Sequence, residues 1–295
     1  MIQGKKEKTV NILITLLFFI LAMCCVVPVL YILAASFSDE ILLSQQGYSL
    51  LPRGFSLEAF RYILKTPKAI LNAYGVTIFV TVVGTFFSLL FTSMFAYVLA
   101  RKDFRLGRVF SFMVFFAMLF NGGLVATYIM MVRYYHVKDT LLALIIPYII
   151  MPWHVFLMKG FLADIPMSLI EAAKIDGAGE IKTFFRIVLP ISKPAMATVG
   201  LFIAFTYWND WYQSMLYIDN AALSSLQYYL YRIMNNIQYL SSSMMSGSVS
   251  VDMASLPSET ARMALCLLAA GPMLIIFPFF QKYFVKGLTV GAVKG

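Results

Sequence analysis

Charge is what this sequence has least of. Only 13% of its 295 residues are Asp, Glu, Lys or Arg, 61% are hydrophobic, and the mean hydropathy is positive. That balance excludes an ordinary soluble globular chain and indicates an integral membrane protein. Histidine is nearly absent: His136 and His154 are the only two, and neither has a cysteine or a pair of carboxylates nearby, which argues against a zinc site. The three cysteines, Cys24, Cys25 and Cys266, fall inside apolar runs. They read there as small buried residues, which argues against a disulfide or metal role. No Gly, four residues, Gly-Lys-Ser/Thr occurs, and Gly177-Ala178-Gly179-Glu180-Ile181-Lys182-Thr183 has the wrong spacing for a phosphate loop. The chain therefore has no ATPase chemistry of its own. Paired carboxylates or histidines facing a cavity are also missing, which disfavours a membrane-embedded enzyme. The alternative of an ion-coupled secondary transporter calls for internal repeats and intramembrane charge, and the sequence shows no clear repeat and almost no charge in its apolar runs.

What the chain has is length of apolar run. Uncharged stretches of 30, 32, 24, 19 and 19 residues lie between Lys8 and Asp39, Lys68 and Arg101, Arg108 and Arg133, Asp139 and Lys159, and Arg262 and Lys282. Each suffices for a bilayer, which takes about 20 residues. A sixth run of 16 residues, Pro194 to Asn209, is short. It reaches spanning length if Asp210 sits at the membrane surface and Trp211 to Ile218 continue the helix. The expectation is an all-α polytopic membrane protein, one transmembrane domain over residues 1–295. Its six spans fall at about 11–37, 73–100, 109–132, 140–158, 194–218 and 263–281, with a polar segment at 164–193.

With both termini in the cytoplasm, fifteen of the 23 basic residues fall on the inner side, as retention of positive charge by cytoplasmic loops requires. They include Lys5, Lys6 and Lys8, then Arg101, Lys102, Arg105 and Arg108, then Lys159, Lys174, Lys182, Arg186 and Lys193. The same orientation puts the segment around Glu171 inside. The net charge of +9 follows from this topology and from anionic headgroups, not from nucleic acid. The first apolar run is too long for the core of a secretory signal and reads as a retained span.

Two external segments, 38–72 and 219–262, are rich in Ser, Gly, Asn and Tyr. The second, with Ser241-Ser242-Ser243 and Ser246 to Ser250, reads as a flexible stretch. Neither is long enough for a separate solute-binding domain, so a soluble binding partner comes from another chain.

Between the fourth and fifth runs the spacing predicts a helical hairpin. Ser168 and Glu171, three apart, form a capping box that starts a first helix, and Ala172 and Ala173 keep it thin. Gly177 suits a left-handed C-terminal turn. Ile181, Phe184, Phe185 and Val188 then recur at helical spacing with Lys182 and Arg186 on other faces, and Pro190 stops this second helix. Periodicity alone allows an ordinary interfacial hairpin.

The order Glu171-Ala172-Ala173, three residues, Gly177, nine residues, Ile187, one residue, Leu189-Pro190 resembles the cytoplasmic EAA loop of ABC importer permeases. Lys174 and Ile175 occupy variable positions of that pattern. Further marks are similar to the carbohydrate-uptake branch of that family, in particular to the smaller permease of the maltose importer. They are Ala96-Tyr97-Val98-Leu99-Ala100-Arg101, Ile165-Pro166 and Tyr207-Trp208-Asn209-Asp210. The ending Gln281 to Gly287 with Gly291 to Gly295 resembles the lipoprotein-associated subgroup for oligosaccharides and polysaccharide fragments.

The resemblance implies a type I ABC importer permease fold in a bacterial cell membrane. It implies a second homologous permease, two ATPase subunits that carry ATP and Mg, and an extracytoplasmic sugar-binding protein as partners, with no cofactor on this chain. It makes Glu171, Ala172, Ala173, Asp176, Gly177, Leu189 and Pro190 the ATPase-coupling residues. Glu171 and Asp176 are candidates for contacts to arginine or backbone donors, against the local alternatives of a capping box and a solvated carboxylate. The tail from Lys286 to Gly295 is a second candidate contact. The sugar path of such a permease runs between the two homologous subunits. Asn121 and Tyr128 in the third run, beside Gly122 and Gly123, and Tyr207, Trp208, Asn209, Asp210 and Trp211 in the fifth are its candidates here, because polar groups are costly in hydrocarbon and aromatic faces stack on sugars. The same aromatics can instead be interface anchors, and the glycines a kink. Pro147 and Pro152 are expected to shape the fourth helix.

Overall fold

Long stretches without charge or helix-breaking residues fold as long helices, and the interruptions carry the information. The computed structural model describes residues 5–245 and 258–292. It is all-α: among the described residues the only extended pairing is an isolated bridge between Ser38 and Phe55. In chain order the helices are α1 (Lys5–Ser36), α2 (Glu40–Gln46), α3 (Glu58–Ile63), α4 (Pro67–Ala100), α5 (Gly107–Leu119), α6 (Leu124–Ile129), α7 (Leu142–Ile145) and α8 (Pro152–Ala163). They continue as α9 (Met167–Ile175), α10 (Glu180–Thr183), α11 (Leu189–Ile191), α12 (Lys193–Trp208), α13 (Tyr212–Tyr217), α14 (Leu226–Met245) and α15 (Ser258–Ala292).

Three stretches, Val10–Ser36, Pro67–Ala100 and Ser258–Phe279, are single helices long and apolar enough to cross a membrane. Three more reach that length only as bent pairs, and each bend has a local cause. The third run is not continuous as expected from composition: α5 and the Leu124–Tyr134 helix diverge by 110°. Between them Gly123 takes φ +84° and donates its N–H to Asn121 Oδ1 at 2.9 Å, a conformation that only glycine adopts at little cost. The fourth run bends by 51° ahead of Pro152. Pro152 forces Met151 into extended backbone (φ −100°, ψ 126°) and then opens α8 as its first residue. Pro147 sits in the short 3-10 turn Ile146–Tyr148 that precedes the bend. Both prolines shape this helix as expected.

The fifth run departs further. The chain from Glu180 to Ile191 meets α12 at 87°, and Pro190 does not end the second limb of the hairpin. It lies inside the continuous Glu180–Ile191 limb, just after the π-helical stretch Phe184–Val188, and the break falls at Ser192. Nor does α12 run on through Asp210. It stops at Trp208, α13 starts afresh at Tyr212, and Asp210 between them is buried within the chain.

The chain divides into two compact units. In the first, residues up to Pro67 and 230–272, Asp39 caps α2 by accepting from the N–H groups of Ile41 and Leu42 at 3.0 Å. Glu40 caps α15 from more than two hundred residues away. Its carboxylate accepts from Ser258 Oγ at 3.1 Å, from the N–H groups of Glu259 and Thr260 at 2.9 Å, and from Thr260 Oγ1 at 2.6 Å, satisfying donors that a helix start leaves open. The segment from 219 onward is not simply flexible, because Leu226–Met245 is a helix that buries Leu226, Leu230 and Ile237. Ser246 to Ser250 lie outside the described residues. The cysteines are also not buried: Cys24 and Cys25 on α1 and Cys266 on α15 are exposed on this chain.

In the second unit, residues 68–229 and 273–295, α12 packs on α8 and α8 on α5. Val155, Met158, Val188, Val199, Ile203 and Tyr207 form the centre. Gly84 lets α4 approach closely. A Cβ placed there would stand 2.6 Å from the Tyr207 ring, the kind of tight approach that small residues permit between membrane helices.

Candidate coupling site and translocation path

The candidate coupling hairpin is built by caps at its glycine turn, not at its start. The first helix begins directly after Pro166, and no side chain caps it. The expected capping box is not formed, because Ser168 already lies inside α9 rather than before it. This leaves Glu171 exposed along with Ala172, Ile175, Asp176 and Gly177, while Ile170 and Ala173 turn inward. Ile175 is 87% exposed.

The turn itself is as expected. Gly177 has φ +76° and donates its N–H to Lys174 O at 3.0 Å, while Ala178 donates to Ala173 O at 2.9 Å. Those two bonds make a Schellman cap. The second limb is only partly the amphipathic face expected: Phe184 and Val188 are buried, but Ile181 and Phe185 are exposed, at 71% and 45%. A π-helical stretch, Phe184–Val188, adds a residue to the turn and shifts the register beyond it, while Ile181 precedes that stretch and faces outward on the same side as Phe185. Leu189 is half-buried and Pro190 exposed.

Sequence reasoning missed the charge cluster that holds this hairpin. Arg101, just past α4, meets Asp103 with both arms of its guanidinium and reaches Glu180 at 2.6 Å. Lys174, at a position the family pattern leaves variable, lies 3.2 Å from Asp103 and 3.4 Å from Glu180. Hydrogen bonds from Arg101 and then Lys174 hold the Asp103 carboxyl well below the usual carboxylate range. Burial pushes Glu180 upward, but Arg101, Tyr97 and Lys174 outweigh it and leave its pKa lowered. A depressed carboxylate contributes its stability fully above its ordinary pKa and loses it only as pH falls through the lowered value, so the cluster stays fully charged at neutral pH. Only the reading of Tyr97 and Arg101 as a family mark pointed to it.

The path candidates separate by exposure. Tyr207 and Trp208 are buried. Tyr207 donates its hydroxyl to Ile145 O at 2.9 Å, and its ring meets that of Tyr148 edge-on at 5.7 Å. Asp210 joins them: its Oδ1 accepts from Tyr148 OH at 2.8 Å and from Gln213 N–H at 3.3 Å, and Gln213 Nε2 donates to Tyr148 OH at 3.2 Å. Trp208 lines an apolar groove of about 570 Å³ together with Thr81, Thr85, Phe86, Met273 and Ile276. Asn121, Asn209 and Trp211 are exposed and Tyr128 is half-buried. Tyr128 stacks on Tyr217 of α13 at 5.7 Å, so the cluster on the third run meets the fifth through that pair. The side chains of the tail from Lys286 onward lie outside the described residues. Among the described residues no group of three His, Cys, Asp or Glu could hold a metal ion.

Comparison with known proteins agrees with this architecture. The family described as "Binding-protein-dependent transport system inner membrane component" matches residues 90–290. The chain is 39% identical to protein LplC of Bacillus subtilis, over 92% of this chain and 90% of that one. It is also 39% identical to the polygalacturonan/rhamnogalacturonan transport system permease protein YtcP of Bacillus subtilis, over 98% and 100%. Among solved structures, the crystal structure of a bacterial ABC transporter involved in the import of the acidic polysaccharide alginate matches with a TM-score of 0.77 at 28% identity, covering 96% of this chain and 99% of that one. An all-helical chain with several apolar helices, matched over its whole length by permease subunits, is a transport subunit and not an enzyme. It belongs to the family of binding-protein-dependent transport system inner membrane components, as a permease of the ABC importer kind.

Proposed function

We propose that this chain forms one half of the membrane path of an ATP-driven importer for an oligosaccharide or polysaccharide fragment. It crosses the bacterial cell membrane six times with both termini in the cytoplasm, the three bent pairs each counting as one span. Its partners are a homologous permease, two ATPase subunits that bind ATP and Mg, and an extracytoplasmic sugar-binding protein. The observation that carries the coupling role is the exposed face of α9, where Glu171, Ala172, Ile175 and Asp176 stand outward on a helix locked by a glycine cap. The names of the relatives support the solute class: polygalacturonan and rhamnogalacturonan for one, arabinooligosaccharides for a protein of Halalkalibacterium halodurans 30% identical over 99% of this chain.

Within the path, the exposed Asn121, Asn209 and Trp211 and the half-buried Tyr128 are the side chains a sugar can reach. Tyr207, Trp208 and Asp210 stand behind them and fix the break between α12 and α13. Proteoliposomes holding the permease pair and ATPase, supplied with sugar-loaded binding protein, are expected to accumulate oligosaccharide only when ATP is present on the ATPase side. Trp211→Ala and Asn209→Ala should each lower that uptake about 5- to 30-fold, the loss of one stacking or polar contact of about 1–2 kcal/mol. Uptake without ATP defeats the importer reading, and wild-type rates for both variants remove these residues from the path.

A further inference from the structure

The ionic cluster at the end of α4 does more than neutralise itself. Arg101 immediately follows the last residue of a 34-residue helix, yet its side chain is only 8% exposed. Its Nε donates to Asp103 Oδ1 at 2.7 Å and its Nη2 pairs with Asp103 Oδ2, so the carboxylate is gripped by both arms. Its Nη1 donates to Glu180 Oε2 at 2.6 Å and to the Tyr97 hydroxyl at 3.0 Å, and that hydroxyl donates to the same Glu180 oxygen at 3.1 Å. Lys174 closes the ring with Nζ near Asp103 Oδ2 and Glu180 Oε1. Beneath it the Tyr97 ring packs on Phe184 at 5.6 Å.

The placement of these groups matters more than their number. Lys174 belongs to α9, before the glycine turn, and Glu180 opens α10, after it. The turn between them contains Gly177 and Gly179, and a Cβ at either would meet nothing within 4 Å. It is held by two local backbone bonds and has open space around it, so without a brace between the limbs it is the place where a load on the hairpin would bend it. A hinge at that point would absorb displacement of α9 instead of passing it on. The cluster spans the hinge from one limb to the other and ties both to the end of α4. A bidentate arginine whose own side chain is largely shielded gives such a brace a fixed orientation, even with its carboxylate and lysine partners about half exposed.

We propose that Arg101 is a positioning residue that locks α4 and both limbs of the coupling hairpin into one lever. Motion imposed on α9 is thereby delivered to the membrane helix rather than lost in the glycine turn. The proposal rests on the docking reading above and adds where the force goes after the contact.

The test uses the complete complex of permease pair, ATPase and binding protein in proteoliposomes, reading ATPase co-purification, ATP hydrolysis and sugar uptake separately. Arg101→Gln is expected to retain the ATPase and its hydrolysis while the sugar moved per ATP falls about tenfold, within the range of coupling between distant sites. Arg101→Lys, which keeps the charge but not the fork, should fall between. Should Arg101→Gln fail to assemble, Lys174→Gln, whose side chain is 42% exposed, removes one limb of the brace without burying a charge, and it should lower the same ratio several-fold. Uptake and hydrolysis falling in parallel, with the ratio unchanged in the variants that assemble, would mean a merely structural role and overturn the proposal. Loss of the ATPase from an otherwise folded Arg101→Gln protein would assign the cluster to docking and overturn it too. If the wild-type complex itself held no ATPase, the docking reading would fail first.

Discussion

Gly177→Pro is expected to abolish ATP-dependent uptake while leaving the protein inserted in the membrane in normal amount. Three effects act together at this residue. Proline fixes φ near −65°, whereas the Schellman cap here requires +76°. The substitution also deletes the N–H that bonds Lys174 O at 3.0 Å, and it drives Asp176 toward extended backbone, unwinding the end of α9. The exposed face of Glu171, Ala172, Ile175 and Asp176 then no longer has a fixed direction. Gly177→Ala provides the graded control. No atom lies within 4 Å of its added Cβ, so it carries only the left-handed backbone penalty of about 1–2 kcal/mol and should keep much of its uptake. Membrane insertion measured by protease protection, beside uptake in vesicles, separates the outcomes. Normal uptake by the proline variant removes the hairpin from the coupling step.

The second large effect lies within the membrane helices. Gly84→Leu should yield no monodisperse protein in detergent, and Gly84→Ala should be destabilised by about 1–3 kcal/mol, the usual cost of overpacking a close contact. Three atoms of the Tyr207 ring lie within 2.6–2.8 Å of the position a Cβ would take. The ring cannot swing aside, because its hydroxyl is bonded to Ile145 O, its edge faces Tyr148, and it is 2% exposed. Thermal denaturation followed by size-exclusion fluorescence reads the difference. A wild-type midpoint for Gly84→Ala would mean that α4 and α12 are not in this register.

What was legible in the sequence follows from which forces act locally. The long helices α1, α4 and α15 are written in uninterrupted apolar composition, and bilayer thickness leaves such segments one regular solution. The left-handed turn at Gly177 and the extended residue before Pro152 are backbone properties of one or two residues, so their positions could be read directly. The 110° divergence after Leu119 could not, because hydropathy counts apolar residues without direction, and Gly122-Gly123 is compatible with both a packed helix and a break. The burial of Asp210 depends on Tyr148 and Gln213 arriving to share its carboxylate, and no local pattern announces that. Ser168 and Glu171 have the spacing of a capping box, but Pro166 moves the helix start forward and the box does not form. The cluster of Arg101, Asp103, Lys174 and Glu180 joins residues some 79 positions apart. In sequence these charges looked like topology markers and variable loop positions. Only the fold brings them together.

The central claim is that the outward face of α9 seats on a nucleotide-hydrolysing subunit in the cytoplasm. A photoreactive amino acid placed at Ile175, whose side chain is 87% exposed, tests it most directly in membranes containing the assembled complex. Illumination should join this chain to the ATPase and to no extracytoplasmic protein. Adducts with the solute-binding protein instead, or labelling of residue 175 by a membrane-impermeant reagent added from outside, would contradict the account.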